Sequence, residues 1–168
     1  MSLTLILTRH AKSSWSDPLE TDFDRPLNAR GEASAVAIGR WLAAQGHLPG
    51  EVILSGARRT EATWAGIARE LPGAVPMRAE RGLYNASAPG VLGVLRGAAS
   101  PVTMLIGHNP GFGDFAGRIL PDRPAHPRYG DYPTGATAVI RFEAGRWSEI
   151  GWGAGRLVDF TVPRELPG

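Results

Sequence analysis

Apolar residues fall into short runs, and the stretches between those runs carry apolar positions every three or four residues. The runs Leu3–Thr8, Val52–Leu54, Val75–Met77 and Val102–Ile106 are three to six residues long. Runs of that length, bounded by polar and turn residues, predict buried strands. Between them Arg30–Gln45 sets Ala35, Ile38, Trp41 and Leu42 on one face and closes at Gly46, which predicts a helix with a glycine stop. Arg58–Leu71 does the same with Ala62, Ala65, Ile67 and Ala68 before Pro72-Gly73. Pro89–Gly97 and Phe112–Leu120 are shorter helical patterns, the second begun after Pro110-Gly111. Alternating strands and helices predict an α/β fold, a three-layer α/β/α sandwich with a mostly parallel central sheet.

The last third changes character. Ala136–Phe142 and Trp147–Trp152 flank Glu143-Ala144-Gly145-Arg146, a loop compatible with a hairpin, and Leu157–Val162 reads as a further edge segment. Residues Pro121–Gly135 are rich in proline and glycine and form the longest expected loop, a candidate for substrate contact. No internal repeat or domain boundary interrupts the 168 residues, which are read as a single domain, 1–168.

Composition then narrows the function classes. Hydrophobic residues make up 43% and charged residues 20%, an ordinary globular balance. The net charge is only +2, which lends a nucleic-acid role little support. There is no cysteine, so disulfides, thiolate metal sites and a cysteine nucleophile are excluded. No apolar stretch reaches membrane-spanning length and the first residues lack a secretory pattern, so cytoplasmic residence and no membrane contact are expected.

In open α/β sheets, ligands collect at the carboxyl ends of the strands. There the first strand ends in Thr8-Arg9-His10, the second runs into Ser55-Gly56-Ala57-Arg58-Arg59, and the fourth into Gly107-His108-Asn109-Pro110-Gly111. Two histidines and at least two arginines thus converge on one edge, which suits a phosphoryl group: guanidinium forks bind its oxygens while a neutral imidazole attacks phosphorus. The four histidines, His10, His47, His108 and His126, have no metal-ligand spacing or carboxylate cluster, so no metal is expected. Gly111, Gly113 and Gly117 form G-x-G-x-x-x-G, out of step with a dinucleotide fingerprint and expected to serve a turn and helix packing. No P-loop occurs, so a kinase or ATPase reading has no anchor.

RHAKSSW after the first strand, DFDRPLNARG, SGARRTEAT after the second strand and GHNPG after the fourth occur in that order. With Leu83–Ser87 (LYNAS) and Pro133–Ala136 (PTGA), they resemble the histidine phosphatase superfamily, whose fold is phosphoglycerate mutase-like. Within it the likeness is to the small phosphohistidine phosphatase (SixA) branch, and it runs from Leu3 to about Leu166. The resemblance implies that His10 is the nucleophile that becomes phosphorylated. It implies that Arg9, Arg59 and His108 bind the phosphoryl oxygens, with Arg25 and Asn109 as further substrate-binding positions. Arg59 opens the R-x-x-x-T motif with Thr63 and is preferred to Arg58, which is expected at the surface. Flanking guanidinium groups disfavour protonation of His10 and so keep it nucleophilic near neutral pH. His108 is more useful protonated, as a donor.

Other branches of the superfamily place a carboxylic acid after the second histidine or beyond the third strand to protonate the leaving group. Asn109 occupies the first place here, and Glu80, near the second, is followed by Arg81-Gly82-Leu83-Tyr84, which does not match. Glu80 is therefore expected to be a solvated strand-end carboxylate. Without an acid an alkoxide leaves poorly, whereas an imidazole, with an ordinary pKa of ~6.5, leaves easily from a phosphoramidate. The leading expectation is a cofactor-independent phosphohistidine phosphatase acting on a phosphorylated protein such as a histidine-containing phosphotransfer domain. Two alternatives remain: a phosphomonoesterase acting on a small phosphorylated molecule at the same site, and a non-catalytic module that binds phosphoproteins. No nucleic-acid partner is expected.

Overall fold

The computed structural model describes residues 1–167. Six strands form one sheet: β1 (Leu3–Arg9), β2 (Glu51–Leu54), β3 (Met77–Ala79), β4 (Val102–Gly107), β5 (Thr137–Phe142) and β6 (Arg156–Thr161), in the order β3-β2-β4-β1-β5-β6. β3, β2, β4 and β1 pair in parallel; β5 runs antiparallel to β1, and β6 antiparallel to β5. Only β5 therefore opposes the common strand direction, and the mostly parallel sheet is as expected.

Four helices cover it: α1 (Ala29–Gln45), α2 (Arg58–Ala68), α3 (Ala88–Arg96) and α4 (Gly111–Ile119). Alternation along the central strands divides their side chains between two layers. Leu5, Leu7, Ile53, Leu105 and Ile140 pack with α3 and α4, while Ile6, Val52, Leu54, Met104 and Ile106 pack with α1 and α2. Leu5, Ile6 and Leu7 are all fully buried, as a strand covered on both faces requires. Helix ends follow local chemistry: the Asn28 side chain accepts from Gly31 N at 2.8 Å to start α1, and Gly46, at φ 75°, ends it. The Ser87 hydroxyl caps α3 ahead of Pro89.

Two expectations need correction. The third strand lies at Met77–Ala79, not Val75–Met77, because Val52 N–H bonds the Pro76 carbonyl and the parallel register then sets Met77 opposite Val52. Proline offers that carbonyl but no N–H, so the ladder begins after it. Trp147–Trp152 is not a hairpin strand. Trp147–Glu149 forms a 3-10 turn whose buried indole donates to the Ser100 carbonyl at 2.7 Å, while Glu149 accepts from Arg146 N. The glycines at 151, 153 and 155 loosen the following stretch, and the antiparallel partner of β5 is β6, with a bulge beside Val139 and Ile140.

The Pro121–Gly135 loop is anchored by two buried tyrosines: Tyr129 OH donates to the Ala116 carbonyl at 2.8 Å, and Tyr132 OH to the Leu7 carbonyl at 2.6 Å. Of the two tryptophans flanking the early motifs, Trp64 lies in the core and Trp15 is exposed.

Candidate active site

β1 and β4 are parallel neighbours in register, Arg9 opposite Gly107, so the residues that follow them emerge side by side. His10 N–H continues the ladder to the Gly107 carbonyl at 3.0 Å, and the His10 and His108 rings stand 5.2 Å apart between centroids. Both are nearly enclosed, each 6% exposed.

The bonding assigns each ring a tautomer. His10 Nδ1 lies 2.7 Å from the Ala11 carbonyl, which can only accept; Nδ1 therefore carries the proton and Nε2 keeps its lone pair. Ala11 N–H is held in turn by the Thr63 hydroxyl, which bonds back to the Arg59 carbonyl. Around His108, Thr60 donates its hydroxyl proton to the Ala57 carbonyl, so Ser55 must be the donor to Thr60. Ser55 Oγ is then an acceptor for Ala57 N–H and, at 2.7 Å, for His108 Nε2–H. Nδ1 is the free nitrogen of that ring, a lone pair when neutral and a donor when protonated.

Burial pushes the His10 imidazole down to about 3, with His108, Arg59 and Arg9 as smaller contributors. The neutral state expected from the sequence follows, although desolvation outweighs the guanidinium groups as its cause. His108 is pushed down to about 4, first by burial and then by Arg59. It too is neutral near pH 7 in this state, rather than protonated.

The arginines surround this pair. Arg59, 4% exposed, turns inward from the first turn of α2 and donates to the Asp22 carbonyl at 2.5 Å and to Asp22 Oδ2 at 3.1 Å. Arg58 is exposed, near Glu20, as expected. Arg25 donates to Ser13 Oγ and to Asp22 Oδ1 at 2.6 Å, and its guanidinium lies 3.7 Å over the Trp15 ring. Arg9 reaches the Tyr132 carbonyl, and burial followed by Arg59 lowers its pKa.

Among the described residues, three buried side-chain nitrogens have no partner: Arg9 Nε, Arg59 Nε and His108 Nδ1. All three belong to this cluster. Unpaired buried polar groups are costly and uncommon; two of these are guanidinium donors and the third becomes one when His108 is protonated, so their concentration here marks a place built for an acceptor with several oxygens.

The family model of the histidine phosphatase superfamily (branch 1) matches residues 5–91, just over half of the chain. The protein belongs to this superfamily. A candidate phosphohistidine phosphatase SixA from Agrobacterium tumefaciens superposes on this chain with a TM-score of 0.79 at 27% identity, covering 96% of this chain and 98% of the other. A second candidate SixA, from Nakamurella multipartitia, gives 0.79 at 24% identity, with 97% of each chain covered. A protein histidine phosphatase SixA solved with tungstate gives 0.75 at 20%, covering 96% and 98%. A chloroplastic protein of Arabidopsis thaliana is 41% identical over 73 residues, 44% of this chain and 34% of the relative. The match thus spans about a third of that curated relative's length.

Several residues of this site carry no signal in the sequence. Asp22 ties Arg25, Arg59 and the Tyr84 hydroxyl together, and those three, Tyr84 first, hold its carboxyl well below the usual carboxylate range. Tyr84 is correspondingly pushed up by Asp22. An aspartate inside an acidic, exposed-looking segment carries no signal of such partners. Ser55 and Thr60 stand in the sequence only as strand-end and helix-start hydroxyls, whereas Thr63 is the threonine of the R-x-x-x-T motif. Tyr132 adopts a left-handed φ of 46°, which aims its carbonyl at Arg9 and Asn109.

Asn109 has a structural duty in the fold: its amide donates to the Asp131 and Tyr132 carbonyls and accepts from Gly113 N, so both ends hold the 121–135 loop to α4. Glu80 caps the turn Arg81–Leu83 through Gly82 N, consistent with a structural carboxylate. His47 and His126 pair with Asp159 and Glu165 elsewhere in the molecule.

Proposed function

We propose that the protein is a phosphohistidine phosphatase that works through a phosphorylated His10. The observation that carries this reading is the pair of unpaired donors on Arg9 and Arg59, with the unpartnered Nδ1 of His108, around an imidazole whose Nε2 lone pair is free. His10 Nε2 attacks the phosphorus of a phosphorylated imidazole; the N–P bond to the substrate breaks as the new one forms, and the substrate, already protonated on its other ring nitrogen, departs as neutral imidazole. Arg9, Arg59 and Arg25 neutralise the three equatorial oxygens as they pass between nitrogens. A dianion at this point favours protonation of His108 Nδ1, which converts that nitrogen from lone pair to donor.

His10 keeps its Nδ1 proton throughout. While Nε2 bears the phosphoryl group the ring is cationic, and the Ala11 carbonyl stabilises that charge. Water then attacks phosphorus, passes a proton to solvent, and releases inorganic phosphate together with neutral His10. Neither step asks the protein to protonate a leaving group. A phosphomonoester does ask for this, and the carboxylate nearest the cage, Asp22, is held ionised by Tyr84, Arg25 and Arg59.

The test is turnover of a phosphorylated histidine-containing phosphotransfer domain by wild type and His10→Ala, with rapid quenching to trap acid-labile phosphate. Wild type is expected to show label on His10, and the variant to lose about a thousandfold or more in rate. Undiminished release by the variant sinks the nucleophile, and larger kcat/KM values for sugar or nucleotide phosphates move the substrate to small phosphomonoesters.

A further inference from the structure

Beside the arginine cage, on the same edge of the sheet, lies a cavity of about 290 Å³ lined by Lys12, Arg30, Ser34, Arg128 and Arg164, with Thr134 on its wall. It is tied directly to the reacting residues: Lys12 follows His10 by two positions, and Gly135, next to Thr134, donates its N–H to the Arg9 and His10 carbonyls at 3.0 Å. Arg128 is neutralised by Asp131 at 3.2 Å, but among the described residues no carboxylate side chain pairs with Lys12, Arg30 or Arg164.

The fold does not account for these charges. Arg30 stands in the first turn of α1, where the helix dipole disfavours a cation, and only Glu32 offsets it there. Gly31, between them, has no room for a side chain because a Cβ would fall 2.0 Å from the Lys12 carbonyl. That close approach is what brings Arg30 and Lys12 to one cavity.

We propose that this cavity receives acidic side chains flanking the phosphorylated histidine of a protein substrate, an inference that rests on the phosphohistidine phosphatase reading for the reacting end. The spacing along the chain suits a polypeptide: Lys12 is two positions from His10, a backbone span of at most about 7 Å, and a carboxylate two or three residues from a phosphohistidine has a similar reach. At roughly 30 Å³ per water the cavity holds about ten, enough for a pair of carboxylate side chains and part of their hydration. Three unneutralised cations call for several anionic groups, which an acidic segment supplies. Each exposed pair adds a factor of about two to five in affinity.

The experiment measures binding of a fluorescein-labelled peptide with one unphosphorylated histidine flanked by glutamates, against its glutamine-flanked counterpart. Wild type is expected to bind the acidic peptide about tenfold more tightly, and Arg30→Gln/Arg164→Gln to lose most of that preference while hydrolysing p-nitrophenyl phosphate as before. Lys12→Gln, made separately, is expected to lose a smaller part. Equal binding of the two peptides by wild type, or an undiminished preference in the double variant, overturns the proposal. So does an affinity for fructose 1,6-bisphosphate that depends on Arg30 and Arg164 without any peptide preference, which assigns the cavity to small molecules. Phosphorylating the histidine separates the two readings. Preserved Arg30- and Arg164-dependent binding without dephosphorylation overturns the proposed reaction and leaves the docking surface standing.

Discussion

At the scale of residues, the site is governed by where protons are held. The Ala11 carbonyl fixes the His10 proton on Nδ1, and the chain Ala57–Thr60–Ser55 fixes the His108 proton on Nε2. One ring thereby presents a nucleophile and the other a nitrogen that titrates on demand. Asp22 acts differently. It is half exposed and bridges two cage arginines, so it helps aim them while placing a negative charge beside any incoming anion. Asp22→Asn keeps the backbone carbonyl contact to Arg59 but removes that charge. Inorganic phosphate is expected to inhibit the variant about three- to tenfold more tightly than wild type, measured as Ki at low ionic strength. A weaker Ki shows that aiming the arginines outweighs the repulsion.

At the scale of elements, close approaches place the second histidine. A Cβ on Gly111 would lie 1.9 Å from the Ala86 carbonyl, so α4 can begin against the 84–87 segment only with glycine there. By contrast a Cβ on Gly93 in α3 or Gly117 in α4 would meet nothing within 4 Å, and neither glycine has a positive φ. Gly111→Ala is expected to destabilise by about 2 kcal/mol or more and to lower activity by displacing His108. Gly93→Ala and Gly117→Ala are each expected to stabilise by about 0.5–1 kcal/mol with activity unchanged. Urea unfolding alongside a turnover assay checks all three.

At the scale of the whole molecule, the sheet delivers two neutral imidazoles to one enclosed place, and that arrangement makes stability depend on pH. In the unfolded chain both titrate near 6.5; in the fold they titrate at about 3 and about 4. Between these limits the unfolded chain binds protons that the native protein does not, so stability is lost as pH falls below 6.5. At pH 5 the loss is about 2 kcal/mol for each histidine, an order-of-magnitude figure. Urea unfolding at pH 7 and pH 5 is expected to show it, and His10→Gln to remove about half. Wild-type stability that is the same at both values contradicts the buried neutral pair.

Much of this was legible in the sequence because it depends on local pattern. Short apolar runs against three- and four-residue spacing predict strands and helices, and Arg9, His10, Arg59 and His108 stand at strand ends and a helix start where the chain order already puts them. The sequence also excludes thiol chemistry. Other features depend on partners far along the chain. The shift of the third strand and the loss of the Trp147–Trp152 hairpin followed from sheet register and from one buried indole. The union of Asp22 with Arg59 and Tyr84, the turn of Tyr132 towards Arg9, and the duty of Asn109 within the loop join residues up to 123 positions apart. Sequence alone determined which chemistry was available and on which edge of the sheet it would gather. Tertiary structure decided which protons sit where, because tautomers and pKa values follow from burial and from hydrogen-bond partners that only folding brings together.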